Sequence, residues 1–390
     1  MMIASGVLRA RWLVVVAAAL VALGIGVAWS EFSESTPIAA DLSAPRGLST
    51  APNGDLLVAE QGAGQILQIE DTGRVTVLVD GIVGATTGAG PEGIEPAGVS
   101  AARYIDGTLF YITGEFDADG EEGFQTLYRL DPDGPVAVVD LFAYEQANNT
   151  DGELDPEELL SNPYDLIANP GGGVLVSDAG ANAVLHVHDA GTVMPFAVFA
   201  QRPNPLPFGP PLMDQVLTGM TIGPDGAVYV ATLTGFPFPS GEARVYRMED
   251  ANGDGDAQDA GETTVFASGL TTATDLAFDS DGSLLVTQFS NDMLEEAPGA
   301  LVRVRDGVLT QVATLVSPTA VHTRGGRLFV SQEFLGLVSE ITVLPTETLT
   351  VAGGGDFIAW IYADTTASAV FADVEIAWIW QNRTWVSWIP

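Results

Sequence analysis

"GDLLVAE", residues 54–60, is a glycine followed by a short apolar run that reads as a β-strand, and it recurs five more times. The copies are "GTLFYIT" from Gly107, "GGVLVSD" from Gly172, "GAVYVAT" from Gly226, "GSLLVTQ" from Gly282 and "GRLFVSQ" from Gly326. Their starts lie 53, 65, 54, 56 and 44 residues apart, too close for a further unit to fit in any gap. Repetition at such a period marks a repeat architecture built from one supersecondary unit.

Ahead of each run sits another short strand: "PRGLST", "PAGVSA", "NPYDLIA", "LTGMTIG", "ATDLAF" and "PTAVHT". Turns such as "PNG", "PDG" and "SDG" join the two, with Gly or Asn supplying the positive φ of a tight hairpin. Two more strands follow each run, for example "ARVYRM" then "TTVFAS". Four antiparallel strands in each of six units, with no helical periodicity between them, predict an all-β chain, a six-bladed β-propeller over residues 41–345. The last blade is expected to close beside strand material from about residue 41.

With the strands of a blade named A to D from the inside out, the B-to-C and D-to-next-A connections emerge on one face. Almost every long insertion falls there: "GIVGATTGAGPEGIEP", "AYEQANNTDGELDPEELLS", "QRPNPLPFGPPLMDQ", "GEFDADGEEGF", "TLTGFPFPSGE" and "QFSNDMLEEAP". Long loops gathered at one mouth of a rigid scaffold are where ligands bind.

Composition narrows the partners. The 390 residues carry 51 acidic against 14 basic side chains, and every basic residue is Arg. That field repels phosphate backbones, so nucleic acid is excluded as an expected partner. Arg9 and Arg11 precede an apolar run from Trp12 to Trp29, and small residues follow it. This order reads residues 1–30 as a secretory signal peptide or, if uncleaved, an N-terminal membrane anchor, which would be the chain's one membrane contact. Residues 31–40 read as a linker. The expectation is an exported protein, secreted, periplasmic or at the cell surface. It has no cysteine, so packing and bound ions must do what disulfides do elsewhere.

At "AYEQANNTDG" from Ala143, "SNPYDL" from Ser161, "VSDAGANAVL" from Val176 and "GPDGAVYVATLTGFPFPSGEARVYR" from Gly223, the sequence resembles the ScyD/ScyE family of NHL-like bacterial propellers. The resemblance spans roughly residues 41–345. It implies an exported six-bladed propeller linked to extracellular pigment or metabolite chemistry, and it transfers no catalytic residues.

"DANGDGDAQDAGE", residues 250–262, begins like a calcium-binding loop, with Asp250, Asn252 and Asp254 at alternate positions and Gly255 at the sharp turn. Asp256 would act through its carbonyl, and Asp259 or Glu262 would close the site. Lying between strands C and D of blade 4, the loop is on the face opposite the mouth, so the expected calcium is structural. His186 and His188 alternate on strand C of blade 3, a spacing that can serve a transition metal, yet no third ligand is near in sequence. His322 sits on an innermost strand, as a general base or as a structural residue.

On the mouth face the candidates are Glu60, Tyr144, Glu145, Asn162, Tyr164, Asp165, Asp178, Asn182 and the Phe236 and Phe238 of "FPFP". Carboxylates and amides converging on the axis would hold a divalent cation, as in six-bladed lactonases, and the apolar loop would receive an aromatic substrate. The alternative is that they cap turns and pack blades. Nothing resembles a nucleophile elbow or a phosphate-cradling loop, so no catalytic residue is named.

From Thr346 to Pro390 the chain changes character and holds five of its seven Trp: Trp360, Trp378, Trp380, Trp385 and Trp388. This reads as a small β module whose Trp residues either bind sugar or cell-wall material or form its core. Taken together, the sequence points to a noncatalytic extracellular protein that binds a small molecule or a cell-surface component. The competing reading is a propeller enzyme, a lactonase-like hydrolase or an accessory enzyme of secondary-metabolite maturation.

Overall fold

The computed structural model describes residues 32–85, 97–114, 122–153, 159–188 and 191–344, and the backbone of four strands beyond residue 356. The chain divides into two compact units, Trp29–Val343 and a second that includes Leu344–Pro390. Residues 1–31, and with them the expected export segment, lie outside the described residues.

The first unit is a six-bladed β-propeller. Blade 1 runs Pro45–Thr50, Leu56–Glu60, Gln65–Ile69 and Val75–Val79 from the inside out. Blades 2 to 5 repeat the meander, with innermost strands Ala97–Ile105, Pro163–Ala168, Leu217–Ile222 and Ala273–Phe278. Blade 6 starts at Pro318–Arg324, continues through Arg327–Gln332 and Leu337–Leu344, and takes its outermost strand from Phe32–Ala39. The closing strand therefore lies before residue 41, inside the stretch expected to be a linker. With this strand blade 6 has four strands like the blades before it, and the ring is closed by chain from before the first repeat.

The second strand of a blade is buried on both faces, which is why it reads as an unbroken apolar run rather than an alternating one. All five residues of Leu56–Glu60, Val174–Asp178, Val228–Thr232 and Leu284–Gln288 are buried. The core is divided accordingly, with one apolar cluster at each of the six blade interfaces. Leu57, Val99 and Tyr111 join blades 1 and 2; Ile112, Leu166 and Val176 join blades 2 and 3; Leu175, Met220 and Val230 join blades 3 and 4. Leu276, Val286 and Tyr229 serve blades 4 and 5, Leu285, Val321 and Val330 blades 5 and 6, and Phe329, Leu48 and Val58 blades 6 and 1. The A-to-B turns need positive φ where the sequence supplies glycine, as at Gly54 (+91°) and Gly226 (+84°).

Two local features depart from the expectation. The acidic insertion opens with an α-helix, Leu141–Asn148, in place of loop; Asp140 caps it by accepting the Ala143 N–H at 2.8 Å. In blade 2 the innermost strand is longer than "PAGVSA", and its register aligns Val99, Ser100 and Ala101 with Pro163, Tyr164 and Asp165 of blade 3.

In the second unit, Phe357–Ala363, Thr366–Phe371, Ala377–Gln381 and Thr384–Trp388 form an antiparallel four-stranded meander. Its register sets Trp380 opposite Trp385 and Ala377 opposite Trp388.

Candidate functional site

The six innermost strands enclose the propeller's axis, and structural alignment of their first residues shows how the axis is built. The second aligned position is Arg46, Ser100, Tyr164, Thr218, Thr274 and Thr319 in blades 1 to 6. Four of these are Ser or Thr, and each donates to the carbonyl of the first aligned residue in the next blade. Ser100 bonds Pro163 (2.9 Å), Thr218 bonds Ala273 (2.9 Å), Thr274 bonds Pro318 (3.0 Å) and Thr319 bonds Pro45 (3.0 Å). Blades 1 and 3 break this girdle with larger side chains. Arg46 and Tyr164 reach toward each other across the channel, the guanidinium carbon 4.3 Å from the ring centroid. Burial pushes the Tyr164 phenol up to about 12 against the opposing pull of Arg46. A Gln61 Oε1 accepts from Arg46 Nη1 at 3.2 Å.

One position deeper the residues are Gly47, Ala101, Asp165, Gly219, Asp275 and Ala320. Both carboxylates cross to the next blade: Asp165 Oδ2 accepts the Met220 N–H and Asp275 Oδ2 the Val321 N–H, each at 2.9 Å. Their other oxygens accept Leu166 N–H and Leu276 N–H at 2.8 Å. Arg103 stands 3.7 Å from Asp165. Burial first, and then the neighbouring Asp165, hold Asp275 well above the usual carboxylate range. Gly219 is required here, because a Cβ on it would lie 2.6 Å from the Asp275 Cα. Deeper still, His322 Nε2 and Thr50 Oγ1 share a hydrogen bond of 2.6 Å, and burial with the Arg103 and Arg324 charges pushes the imidazole down to about 3.

The mouth candidates divide by what their polar atoms touch. Glu60 accepts the Ser43 N–H at 2.7 Å and is 7% exposed. Asp178 is wholly buried and accepts Ser161 Oγ–H (2.6 Å) and the N–H groups of Asn162 (2.7 Å), Gly180 (3.1 Å) and Ala181 (3.1 Å). Asn162 thus closes a loop through its backbone. Glu60, Asp165 and Asp178 hold backbone in place and do not converge on a point. Among the described residues no three acidic or histidine side chains are arranged to hold a metal.

Asn182 instead gathers two insertions. Held at φ +46°, it donates to Asp151 and Asp214 at 3.0 Å each and accepts the N–H groups of Gln215 (3.0 Å) and Val216 (3.1 Å). Tyr144 and Glu145 lie on the helix of the acidic insertion, with Glu145 1% exposed. Arg202, ion-paired to Glu242 at 3.0 Å, ties the proline-rich insertion to the "FPFP" loop.

That loop carries the apolar side of the mouth. Phe236 is 52% exposed and meets Phe238 edge to face at 6.0 Å between centroids. Phe208, Leu294, Phe334 and Leu335 are exposed on the neighbouring mouth loops, and Phe334 packs on Phe289 at 5.5 Å. A separate groove of about 510 Å³ opens on the opposite face, where Asp281 and Arg305 along it pair with each other.

His186 and His188 have ring centroids 3.9 Å apart, but His186 Nε2 faces the Gly172 carbonyl (2.8 Å) and Asn169 Nδ2 (3.0 Å), donating to the one or accepting from the other. In the 250–262 hairpin, Asp250 accepts the N–H groups of Gly253 (2.7 Å), Asp254 (3.1 Å) and Gly255 (3.0 Å). Asn252 Nδ2 bridges Asp254 (2.9 Å) and Asp259 (2.7 Å). Asp250, Asn252, Asp254 and Asp259 carry the oxygens a calcium loop uses, but in this geometry they bond to amides and form no metal-holding group. Asp256 caps Gln258 N–H at 2.9 Å, and Glu262 spends both oxygens on the amides of Ala251, Asn252 and Asp259.

The girdle, Arg46, Asp275, Asp151 and Asp214 were not singled out by sequence. A signal existed in the aligned "RGL", "SAA", "YDL", "TGM", "TDL" and "TAV", where Ser or Thr recurs in four copies of six.

No protein-family model matches this chain. No curated protein matches it in sequence. Solved structures do share its fold. A gluconolactonase from Xanthomonas campestris is 16% identical, with 80% of this chain and 90% of that one covered at a TM-score of 0.53. The PQQ-bound aldose sugar dehydrogenase of Streptomyces coelicolor is 14% identical over 81% of this chain and 100% of that one, at 0.51. A calcium-binding regucalcin from Agrobacterium tumefaciens is 14% identical over 82% and 96%, at 0.49. At these identities the first two likenesses establish the propeller fold alone.

Proposed function

We propose that this is an exported propeller of the ScyD/ScyE kind whose mouth binds an apolar or aromatic small molecule, or a cell-surface component, without chemical turnover. The observation that carries the reading is the Arg46–Tyr164 stack. Where a lactonase-like mechanism would place a divalent cation among carboxylates, this channel has a fixed guanidinium, whose charge opposes such a cation. The nearby carboxylates are committed to backbone amides, while the exposed surface offered beside them is Phe208, Phe236, Leu294 and Phe334. The rival reading, a propeller enzyme, has the fold likeness to a gluconolactonase and a sugar dehydrogenase behind it.

Two measurements separate them. Anilinonaphthalene sulfonate should bind the full chain and lose affinity about tenfold in Phe236→Ala with Phe334→Ala. Gluconolactone and dihydrocoumarin, with and without calcium, should be hydrolysed no faster than in buffer; turnover abolished by substitutions at the mouth would establish the enzyme instead.

Calcium at the 250–262 hairpin belongs to the same proposal, as a structural ion. Asp250, Asn252, Asp254 and Asp259 would hold it and it would supply cross-linking of a long hairpin in a chain without disulfides. Calcium should raise the Tm, and Asp250→Ala with Asp254→Ala should abolish the gain. Equal Tm values with calcium and with chelator would remove the ion from the picture.

A further inference from the structure

The insertion between blades 2 and 3 contains three side-chain oxygens that are shut off from solvent and have no hydrogen bond of good geometry: Glu145 Oε2, Asn149 Oδ1 and Thr150 Oγ1. Unpaired buried polar atoms are uncommon, and three within six residues of chain call for a ligand. Glu145 is 1% exposed, and its other oxygen accepts the Thr150 N–H at 2.8 Å. The Thr150 hydroxyl lies beside the same carboxylate and beside the Tyr144 hydroxyl. Asn149, at φ +47°, donates from Nδ2 to the Glu153 carbonyl at 2.8 Å, which fixes the amide with Oδ1 as its free atom.

The charge around these atoms is one-sided. Glu145 lies in the field of Asp178 and Asp151, and Asp151 in that of Asp214 and Glu153. Among the described residues no arginine pairs with Glu145, Asp151, Asp178 or Asp214. A buried water can occupy unpaired oxygens but brings no charge. A hard divalent cation takes carboxylate, amide and hydroxyl oxygens together and offsets the surrounding carboxylates.

We propose that Glu145, Asn149 and Thr150 form a second cation site, for a calcium-class ion, at the mouth and separate from the 250–262 hairpin. Asp151, adjacent in sequence, is the residue bonded to Asn182, which in turn holds Asp214 and Gln215. An ion here would order the blade 2–3 insertion and, through Asn182, the blade 3–4 insertion. The site does not depend on what the mouth binds.

Calcium titration calorimetry on the full chain, with terbium emission excited through Tyr144, whose hydroxyl lies beside Thr150, tests the assignment. The Asp250→Ala, Asp254→Ala chain should retain one equivalent of calcium, and adding Glu145→Gln should remove it and the terbium signal. Asn149→Asp, which adds a carboxylate at a backbone angle Asp tolerates, should tighten that equivalent tenfold or more. If the hairpin itself binds nothing, wild type should take one equivalent that Glu145→Gln alone abolishes. No calcium bound by the Asp250→Ala, Asp254→Ala chain, or unchanged affinity in a folded Glu145→Gln, overturns the proposal and assigns the three oxygens to water. Should Glu145→Gln fail to fold, Asn149→Asp decides, since unchanged affinity there also overturns it.

Discussion

Arg46 lies over the face of Tyr164 across the propeller channel, 4.3 Å from the ring centroid, although blade 2 separates the two strands that carry them. The pair completes the axis at the two blades where no Ser or Thr continues the girdle. Truncation by Arg46→Ala removes the stack and the Gln61 hydrogen bond and should cost about 1–3 kcal/mol. Arg46→Met keeps the bulk and discards the charge, so it should stay within about 1 kcal/mol of wild type. Urea midpoints of the two variants check both values; equal losses would mean that charge rather than packing holds the channel.

The hydroxyl girdle makes a repeated claim that a single substitution can test. Thr274→Val preserves shape but leaves the buried Pro318 carbonyl without its donor and removes the partner of Thr287 Oγ1 at 3.0 Å. The expected loss is about 1–2 kcal/mol, with a similar loss for Thr218→Val. Because Thr218 bonds the carbonyl of Ala273, the residue next to Thr274, the double variant should depart from the plain sum.

Asn182 combines a left-handed backbone with four hydrogen bonds. Ala at this position strains the backbone and strips the Gln215 and Val216 amides, for about 2–4 kcal/mol together; Gly relieves the strain alone and should recover about 1 of them. Limited proteolysis within residues 201–214 should accelerate in both variants, since neither restores the tie to Asp214.

Two buried groups in the channel give opposite pH dependences. Asp275 has its pKa raised in the folded state, so the fold binds more protons than the unfolded chain from 3.8 upward. Its contribution to stability therefore falls as pH rises through that window. His322, pushed down from 6.5 to about 3, binds fewer protons when folded, so stability falls as pH drops below 6.5. Relative to wild type, Asp275→Asn should gain on going from pH 4 to 7, and His322→Gln should gain on going from pH 7 to 4. Thermal melts across that range, read as differences from wild type, isolate each group from the remaining carboxylates.

The blades were legible because the period, the glycine turns and the doubly buried second strand all follow from short-range pattern. "LLVAE" and "LLVTQ" must be apolar on both faces to sit between two neighbours, and that requirement is visible without coordinates. The roles of the polar residues were not legible in the same way. Asp165 and Asp178 look alike as candidate ligands, yet one reaches a neighbouring blade's amide and the other closes its own loop. A carboxylate's use depends on which N–H groups lie within about 3 Å, and those range from the next residue in the chain to one 55 positions away.

By itself, then, the sequence determined six four-stranded units and sorted their long loops onto one face, because strand period and turn chemistry are local properties. Tertiary structure decided that Phe32–Ala39, before the first repeat, closes the ring. It also decided that Arg46 meets Tyr164 on the axis and that three oxygens of the acidic insertion have no hydrogen bond of good geometry. The first two arise where strands distant in sequence converge, and the third from how one local turn is buried; distance along the chain carries no record of which side chains will share a site.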